Sequence, residues 1–180
     1  MTKVVVLVGS LRKESFSRKT AKALVKLTPE LDFDFLDIGA VSYFNQDLEA
    51  NPPADWVSFR ERVAAADAVL FVTAEYNRSV PGVLKNAVDV ASRPYGKGAL
   101  LGKPAAIIST SIGAIGGFGA NHHLRQSLAF LDMPTMEQPE AYIGHAGSLF
   151  DDDGNLTNDG TRDFLAKFGN AFAAFIRKNE

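Results

Sequence analysis

Three short runs in this chain are apolar at every position: Val4–Val8, Ala68–Val72 and Ala105–Ile108. A strand with one face in water alternates polar and apolar residues, so an unbroken run belongs to a strand covered on both faces. Strands of that kind are parallel and lie between layers of helix. Between the runs the apolar spacing changes to that of helices. Ala21, Leu24 and Val25 share one face, as do Trp56, Phe59 and Val63. Leu84, Ala87, Val88 and Ala91 repeat at i, i+3, i+4 and i+7 behind Pro81, a residue suited to a first turn. Leu124, Leu128 and Leu131 form a fourth stripe, and Leu165, Phe168, Phe172, Phe175 and Ile176 a fifth.

Phe33–Ile38 alternates over part of its length and supplies a second strand, and Glu140–Ile143 supplies a last one. Strand and helix thus alternate about five times, which predicts an α/β three-layer sandwich around a parallel sheet. Right-handed crossovers leave few topologies. Five strands favour the flavodoxin-like order 2-1-3-4-5 over a six-stranded dinucleotide fold. The 180 residues contain no repeat, linker or low-complexity tract, so a single domain over residues 1–180 is expected.

Cysteine is absent. Disulfides, thiolate zinc sites, CxxC redox chemistry and cysteine nucleophiles are therefore excluded, and any redox function must rest on a bound cofactor. The net charge of −2 gives no global basic field, so no nucleic-acid partner is expected. No apolar run approaches the roughly 20 residues of a membrane span, and no membrane partner is expected. Met1-Thr2-Lys3 leads straight into the first strand without a signal-peptide layout, which makes the cytoplasm the expected location.

In such sheets a ligand binds at the carboxyl ends of the strands, where the strand order reverses. The loop after the first strand reads Gly9-Ser10-Leu11-Arg12-Lys13-Glu14-Ser15-Phe16-Ser17. Its hydroxyls, the Arg12 cation and the N–H groups of the following helix are the set that a phosphate dianion requires. It is neither a GxGxxG fingerprint nor a Walker A sequence. The same residues also read as a helix N-cap at Ser15 or Ser17 with solvated charges at Arg12 and Lys13.

The loop after the third strand, Thr73-Ala74-Glu75-Tyr76-Asn77-Arg78-Ser79-Val80-Pro81-Gly82, offers backbone groups to the edge of a flat ring. It reads equally as a turn closed by Glu75 and Asn77. The loop after the fourth strand runs from Ser109 to Gly119 and is rich in glycine, which permits close backbone approach to a ligand or simple flexible connection. His122-His123 point about 100° apart on a helix and make no metal site. Asp151-Asp152-Asp153-Gly154-Asn155 lacks the glycine and glutamate that a calcium loop needs at Leu156 and Arg162. No GxSxG elbow is present.

Together these residues resemble the NADPH-dependent FMN reductases, the flavodoxin-like quinone, chromate and azo reductases. Gly9-Ser10-Leu11-Arg12-Lys13 with Ser15-Phe16-Ser17 is similar to their phosphate loop. Glu75 to Ala87 is similar to their second signature, and Thr110-Ser111, Gly116-Gly117 and His123-Leu124-Arg125-Gln126 to their third. Arg93-Pro94-Tyr95-Gly96 resembles a bacterial ferric and quinone reductase branch. The chain departs from the pattern at Ala74 (usually Pro), Ser17 (commonly Asn), Val90 (frequently Trp) and around Asn121.

The resemblance implies bound FMN, with NAD(P)H as reductant. Ser10, Arg12, Ser15, Phe16 and Ser17 would hold the FMN phosphate. Ala74, Glu75, Tyr76 and Asn77 would run along the isoalloxazine ring, mainly through backbone groups, and Thr110 would complete the pocket. The implied reaction is ping-pong transfer of electrons from NAD(P)H to quinones, chromate, azo compounds or ferric complexes. No side chain takes a catalytic role, because the cofactor carries the chemistry. Arg78 and Arg93 are candidates for attracting the acceptor or the coenzyme phosphate, and exposed surface arginine is the alternative for both. A flavodoxin-type FMN electron carrier without NAD(P)H turnover is the rival function. A homodimer or homotetramer is also implied, with Trp56, Tyr95 and Phe118 as aromatic candidates for interface or core.

Overall fold

Residues 1–179 are described by a computed structural model, in which the three apolar runs lie side by side. Strands β1 (Thr2–Gly9), β2 (Leu31–Leu36), β3 (Ala68–Thr73), β4 (Ala105–Thr110) and β5 (Ala141–Ile143) form one sheet in the order β2-β1-β3-β4-β5. All pairs are parallel. This is the flavodoxin-like arrangement expected from the five-strand pattern. Val4 stands opposite Phe33 on one side and Ala68 on the other, and Gly9 stands opposite Thr73. The loops after β1 and β3 are therefore neighbours at the carboxyl end of the sheet.

The unbroken apolar runs are explained by what each face meets. Val5, Leu7, Val69, Phe71 and Ile107 pack on one side against Trp56 and Phe59 of α2 (Ala54–Ala64), Leu84 of α3 (Gly82–Ala91) and Leu124 of α4 (Phe118–Phe130). Val4, Val6, Val8, Leu70 and Ile108 pack on the other side against Leu24 of α1 (Phe16–Leu27) and Leu165, Phe168 and Phe172 of α5 (Asp159–Lys178). Each large side chain so buried contributes about 1.5–3 kcal/mol. Trp56 is fully buried and therefore belongs to the core, not to an interface.

Two local features differ from the sequence expectation. The second strand runs Leu31–Leu36, and Ile38 lies beyond it in a short 3-10 turn, where Asp37 accepts from the Gly39 N–H at 3.0 Å. Ile38 is apolar because it joins the core from that turn. Leu131 lies just past the end of α4, half-buried, and packs against the same core as Leu124 and Leu128, so the apolar stripe outlasts the helix.

The connection from β2 to α2 is long and is held from outside. Asn86 on α3 accepts the Phe44 N–H at 2.8 Å and donates to the carbonyls of Val41 and Ser42, each at 3.2 Å. Trp56 Nε1 also donates to the Ser42 carbonyl, at 3.0 Å. The two edges of the sheet are unalike. β2 carries the exposed Asp32 and Asp34, with Arg62 Nη2 2.6 Å from Asp34, while β5 is three residues long. Among the described residues no helix is long and apolar enough to cross a membrane.

Candidate functional site

The loops after β1, β3 and β4 meet at the carboxyl end of the sheet. Ser10, Ser15 and Ser17 are buried, whereas Leu11, Arg12, Lys13 and Glu14 are exposed. Ser15 is the N-cap of α1, and its hydroxyl accepts the Arg18 N–H at 3.1 Å. That satisfies the capping reading without consuming the loop. Among the described residues, the backbone N–H groups of Leu11 to Glu14, Phe16 and Ser17 have no hydrogen-bond acceptor, and the first turn of α1 holds no acid. A run of free N–H groups at a helix N-terminus is a binding site for an anion. Glu14, the one acid of the loop, is paired with Lys19 at 3.0 Å, and that cation holds its carboxyl below the usual glutamate range. Phe16 is half-buried and stacks on Phe150 with ring centroids 6.3 Å apart.

After β3 the chain forms a tight hairpin. Tyr76 and Ser79 exchange two backbone hydrogen bonds of 3.0 Å, and the residues between them, Asn77 and Arg78, both have left-handed backbones (φ 51° and 64°). This is the type I′ geometry, favourable for Asn77 and costly by about 1 kcal/mol for a side chain such as Arg78. Ala74 and Glu75 are half-buried, and Tyr76, Asn77 and Arg78 exposed. The Glu75 carboxylate accepts from Arg78 Nη1 at 3.0 Å and from the Ala120 N–H at 3.1 Å, so it does close the turn.

The β4 loop is drawn onto β5. A Cβ on Gly116 would lie 2.5 Å from the Tyr142 backbone, and Gly116 and Gly117 both have positive φ, so glycine is required at both. Thr110 is buried, with its hydroxyl 3.5 Å from that of Thr20 on α1. Each of the three loops also presents an exposed apolar side chain: Leu11, Tyr76, and Ile112 with Ile115. Free N–H groups on one side and apolar edges around them suit a ligand that joins a phosphate to a flat hydrophobic ring. The donor set therefore fits FMN.

The two arginines are placed differently. Arg78 is three-quarters exposed at the tip of the hairpin. Arg93 follows α3; its Nε lies 3.1 Å from Glu49, and its guanidinium stands 5.4 and 5.8 Å from the Phe44 and Tyr95 rings. It lines a groove of about 930 Å³ between α3 and α4 that reaches Ser79, Val80 and His123. That groove does not include Ser10, Ser15, Ser17 or Thr110, so it adjoins the hairpin rather than the phosphate loop. Val90, the position that frequently holds Trp in the resemblance, is fully buried.

The neighbouring histidines have separate partners. His122 Nε2 lies 2.9 Å from the Tyr142 hydroxyl, and His123 Nδ1 lies 2.9 Å from Ser79 Oγ. Burial and the Glu140 carboxylate push the Tyr142 phenol up to about 12. Asp151 accepts from the Asn155 backbone and side chain at 2.7 and 3.2 Å, making the acidic run a closed turn ahead of α5. Sequence reading missed Asn86 as the holder of residues 41–44 and Ala120 as the partner of Glu75. A polar residue inside the apolar stripe Leu84, Ala87, Val88 was the available signal for the first, and α4's lack of a capping side chain was the signal for the second.

Residues 2–148 match the family model described as NADPH-dependent FMN reductase. A quinone reductase of Pseudomonas putida is 60% identical over 178 residues, covering 98% of this chain and 95% of the relative. A 2-hydroxy-1,4-benzoquinone reductase of a Burkholderia species is 48% identical over 176 residues, covering 97% and 96%. Among solved structures, the flavoenzyme NAD(P)H:(acceptor) oxidoreductase FerB from Paracoccus denitrificans superposes with a TM-score of 0.93 at 43% identity, over 99% of each chain.

Proposed function

The chain belongs to the NADPH-dependent FMN reductase family, and on that premise we propose that it binds FMN across the three loops and reduces quinones by a ping-pong reaction. It is an NAD(P)H-dependent oxidoreductase with FMN as cofactor and small molecules as acceptors. When bound, FMN supplies a ring that takes a hydride from NAD(P)H and passes the electrons to an acceptor. The observation that carries the reading is the row of free N–H groups after β1, next to the hairpin after β3.

In this reading Ser10, Arg12, Ser15, Phe16 and Ser17 hold the phosphate, the hydroxyls and N–H groups donating and Arg12 neutralising charge. Ala74, Glu75, Tyr76 and Asn77 orient the ring through their backbone, and Thr110 closes the pocket. Arg78 at the hairpin tip attracts an anionic acceptor or coenzyme phosphate. Arg93 does so from the groove wall, with its charge shared by Glu49. No side chain serves as nucleophile or acid–base group. Chromate, azo compounds and ferric complexes belong to the same proposal, since each takes electrons from a reduced flavin. One flavin-binding domain over the whole chain, a cytoplasmic location and a homodimer or homotetramer complete it. Tyr95 and Phe130 on the α3–α4 groove, 76% and 77% exposed, support the last.

The test is a visible spectrum of the purified protein before and after anaerobic NAD(P)H, followed by initial rates with a benzoquinone. Flavin bands that bleach, and double-reciprocal lines that stay parallel as the quinone is varied, are expected. Bands that persist would leave an electron carrier, and intersecting lines would overturn the ping-pong order.

A further inference from the structure

Helix α4 begins without a cap of its own. Gly117 occupies the N-cap with a left-handed backbone (φ 79°) and no side chain to offer, and the first turn contains no acid. The first helical bond runs from the Asn121 N–H to the Gly117 carbonyl at 3.1 Å, so the N–H groups of residues 118–120 point out of the helix end. The Ala120 N–H is taken by Glu75 Oε2 from the β3 loop, at 3.1 Å. The other oxygen of that carboxylate accepts from Arg78, and the Glu75 side chain is only 10% exposed.

Two further observations bind the same pieces. A Cβ on Gly119 would lie 2.7 Å from the Arg78 carbonyl and 3.0 Å from Glu75 Oε2, so the hairpin is seated on α4 closer than a side chain would allow. One turn further along, His123 Nδ1 meets Ser79 Oγ at 2.9 Å. The hairpin is thus tied to two successive turns of α4.

We propose that Glu75 is a positioning residue: its carboxylate caps α4 in place of the missing N-cap and so fixes the spacing between the β3 and β4 loops. A carboxylate at this point also meets the positive end of the helix dipole, a smaller contribution than the hydrogen bond itself. What is positioned, the flavin ring, rests on the function proposed above; the cap does not.

Residue-resolved amide exchange on the apoprotein, with Glu75→Ala and Glu75→Gln, tests the cap. Glu75→Ala speeds exchange at Ala120 and at Tyr76 and Ser79 together, by about fivefold, the loss typical of one cap. Glu75→Gln, which keeps an acceptor oxygen, restores the Ala120 amide. Where Glu75→Ala does not fold, Glu75→Asp serves, since its carboxylate is drawn back by one methylene and gives the same acceleration. In the FMN-bound protein, Glu75→Ala weakens FMN about fivefold and changes the visible circular dichroism of the flavin, and Glu75→Gln recovers both.

Unchanged exchange at Ala120 overturns the cap. Faster exchange at Ala120 with Tyr76 and Ser79 unchanged overturns the coupling of the loops. Faster exchange at all three with unaltered flavin affinity and dichroism overturns the positioning role. A wild-type protein that takes up no FMN overturns the flavin reading and the positioning with it, while the exchange data still decide the cap.

Discussion

Asn86 Oδ1 accepts the N–H of Phe44 at 2.8 Å, across 42 positions of sequence. The same side chain donates to the carbonyls of Val41 and Ser42, so one amide satisfies three backbone groups of a connection with no regular partner of its own. Asn86 is itself buried. Replacing it with Leu fills the space but leaves the Phe44 N–H and the Val41 carbonyl unpaired, while the Ser42 carbonyl keeps Trp56 Nε1. The expected cost is about 2–4 kcal/mol, read as a lower midpoint in urea unfolding with an unchanged slope. Asn86→Asp restores the bond to Phe44 but sets a carboxylate against two carbonyls, and it is expected to be destabilised as well.

Helices α1 and α5 cross where Gly169 faces Thr28. A Cβ on Gly169 would overlap Thr28 Oγ1 and come within 3.1 Å of its Cβ and Cγ2. The Thr28 hydroxyl is held in place by its bond to the Leu24 carbonyl at 3.0 Å. Gly169→Ala is expected to cost about 1–3 kcal/mol through overpacking. Adding Thr28→Ala removes the overlapping oxygen and should return part of that loss. A double mutant no more stable than Gly169→Ala alone would show that the crossing does not relax at this point.

Asp55 anchors the start of α2 to the preceding connection. Its Oδ2 accepts from the Ser42 N–H at 2.6 Å and from the Ser42 hydroxyl at 2.7 Å, and these bonds hold its carboxyl below the usual aspartate range. The folded state therefore binds this proton less readily than the unfolded state does. The stabilisation is fully present above the ordinary aspartate pKa of about 4 and is lost as the pH falls through the lower folded value. Asp55→Asn should be less stable than the wild type at neutral pH and should converge with it in strong acid. Melting temperatures measured from neutral to acid pH check this; a constant offset across the range would remove Asp55 from the acid limb.

Arg12 is exposed in the β1 loop and has no role in the core. Arg12→Glu should leave the stability of the apoprotein within about 0.5 kcal/mol. It should weaken FMN at least about tenfold, because it exchanges a neutralising cation for an anion beside a phosphate. Flavin fluorescence quenching gives the affinity. An unchanged value would take Arg12 out of the phosphate site.

The central strands were legible because burial on both faces leaves long apolar runs, such as Ala68–Val72, between turn residues. The equally unbroken Ala171–Ile176 is told from them by the helical stripe of Leu165, Phe168 and Phe172 that leads into it. The edge was harder to read. In Leu31-Asp32-Phe33-Asp34-Phe35-Leu36 the alternation is real but partial, and the apolar Ile38 beyond it belongs to a turn that reaches back into the core. The loops of the site could be found from their place at the ends of strands, and Ser15 could be read as a cap from its type. What could not be read were bonds between distant segments. Glu75 and Ala120 lie 45 positions apart, and a backbone N–H carries no mark in the sequence of which side chain will reach it.

The unlike edges of the sheet bear on how this protein can associate. An exposed strand edge is a template on which another chain can continue the sheet, and such growth ends in aggregates. Here one edge bears the charges of Asp32 and Asp34, and the other is only three residues long. Neither invites a further strand. Any association of copies is then left to helical faces such as the α3–α4 groove, which adjoins the hairpin, so it would border the site rather than lengthen the sheet.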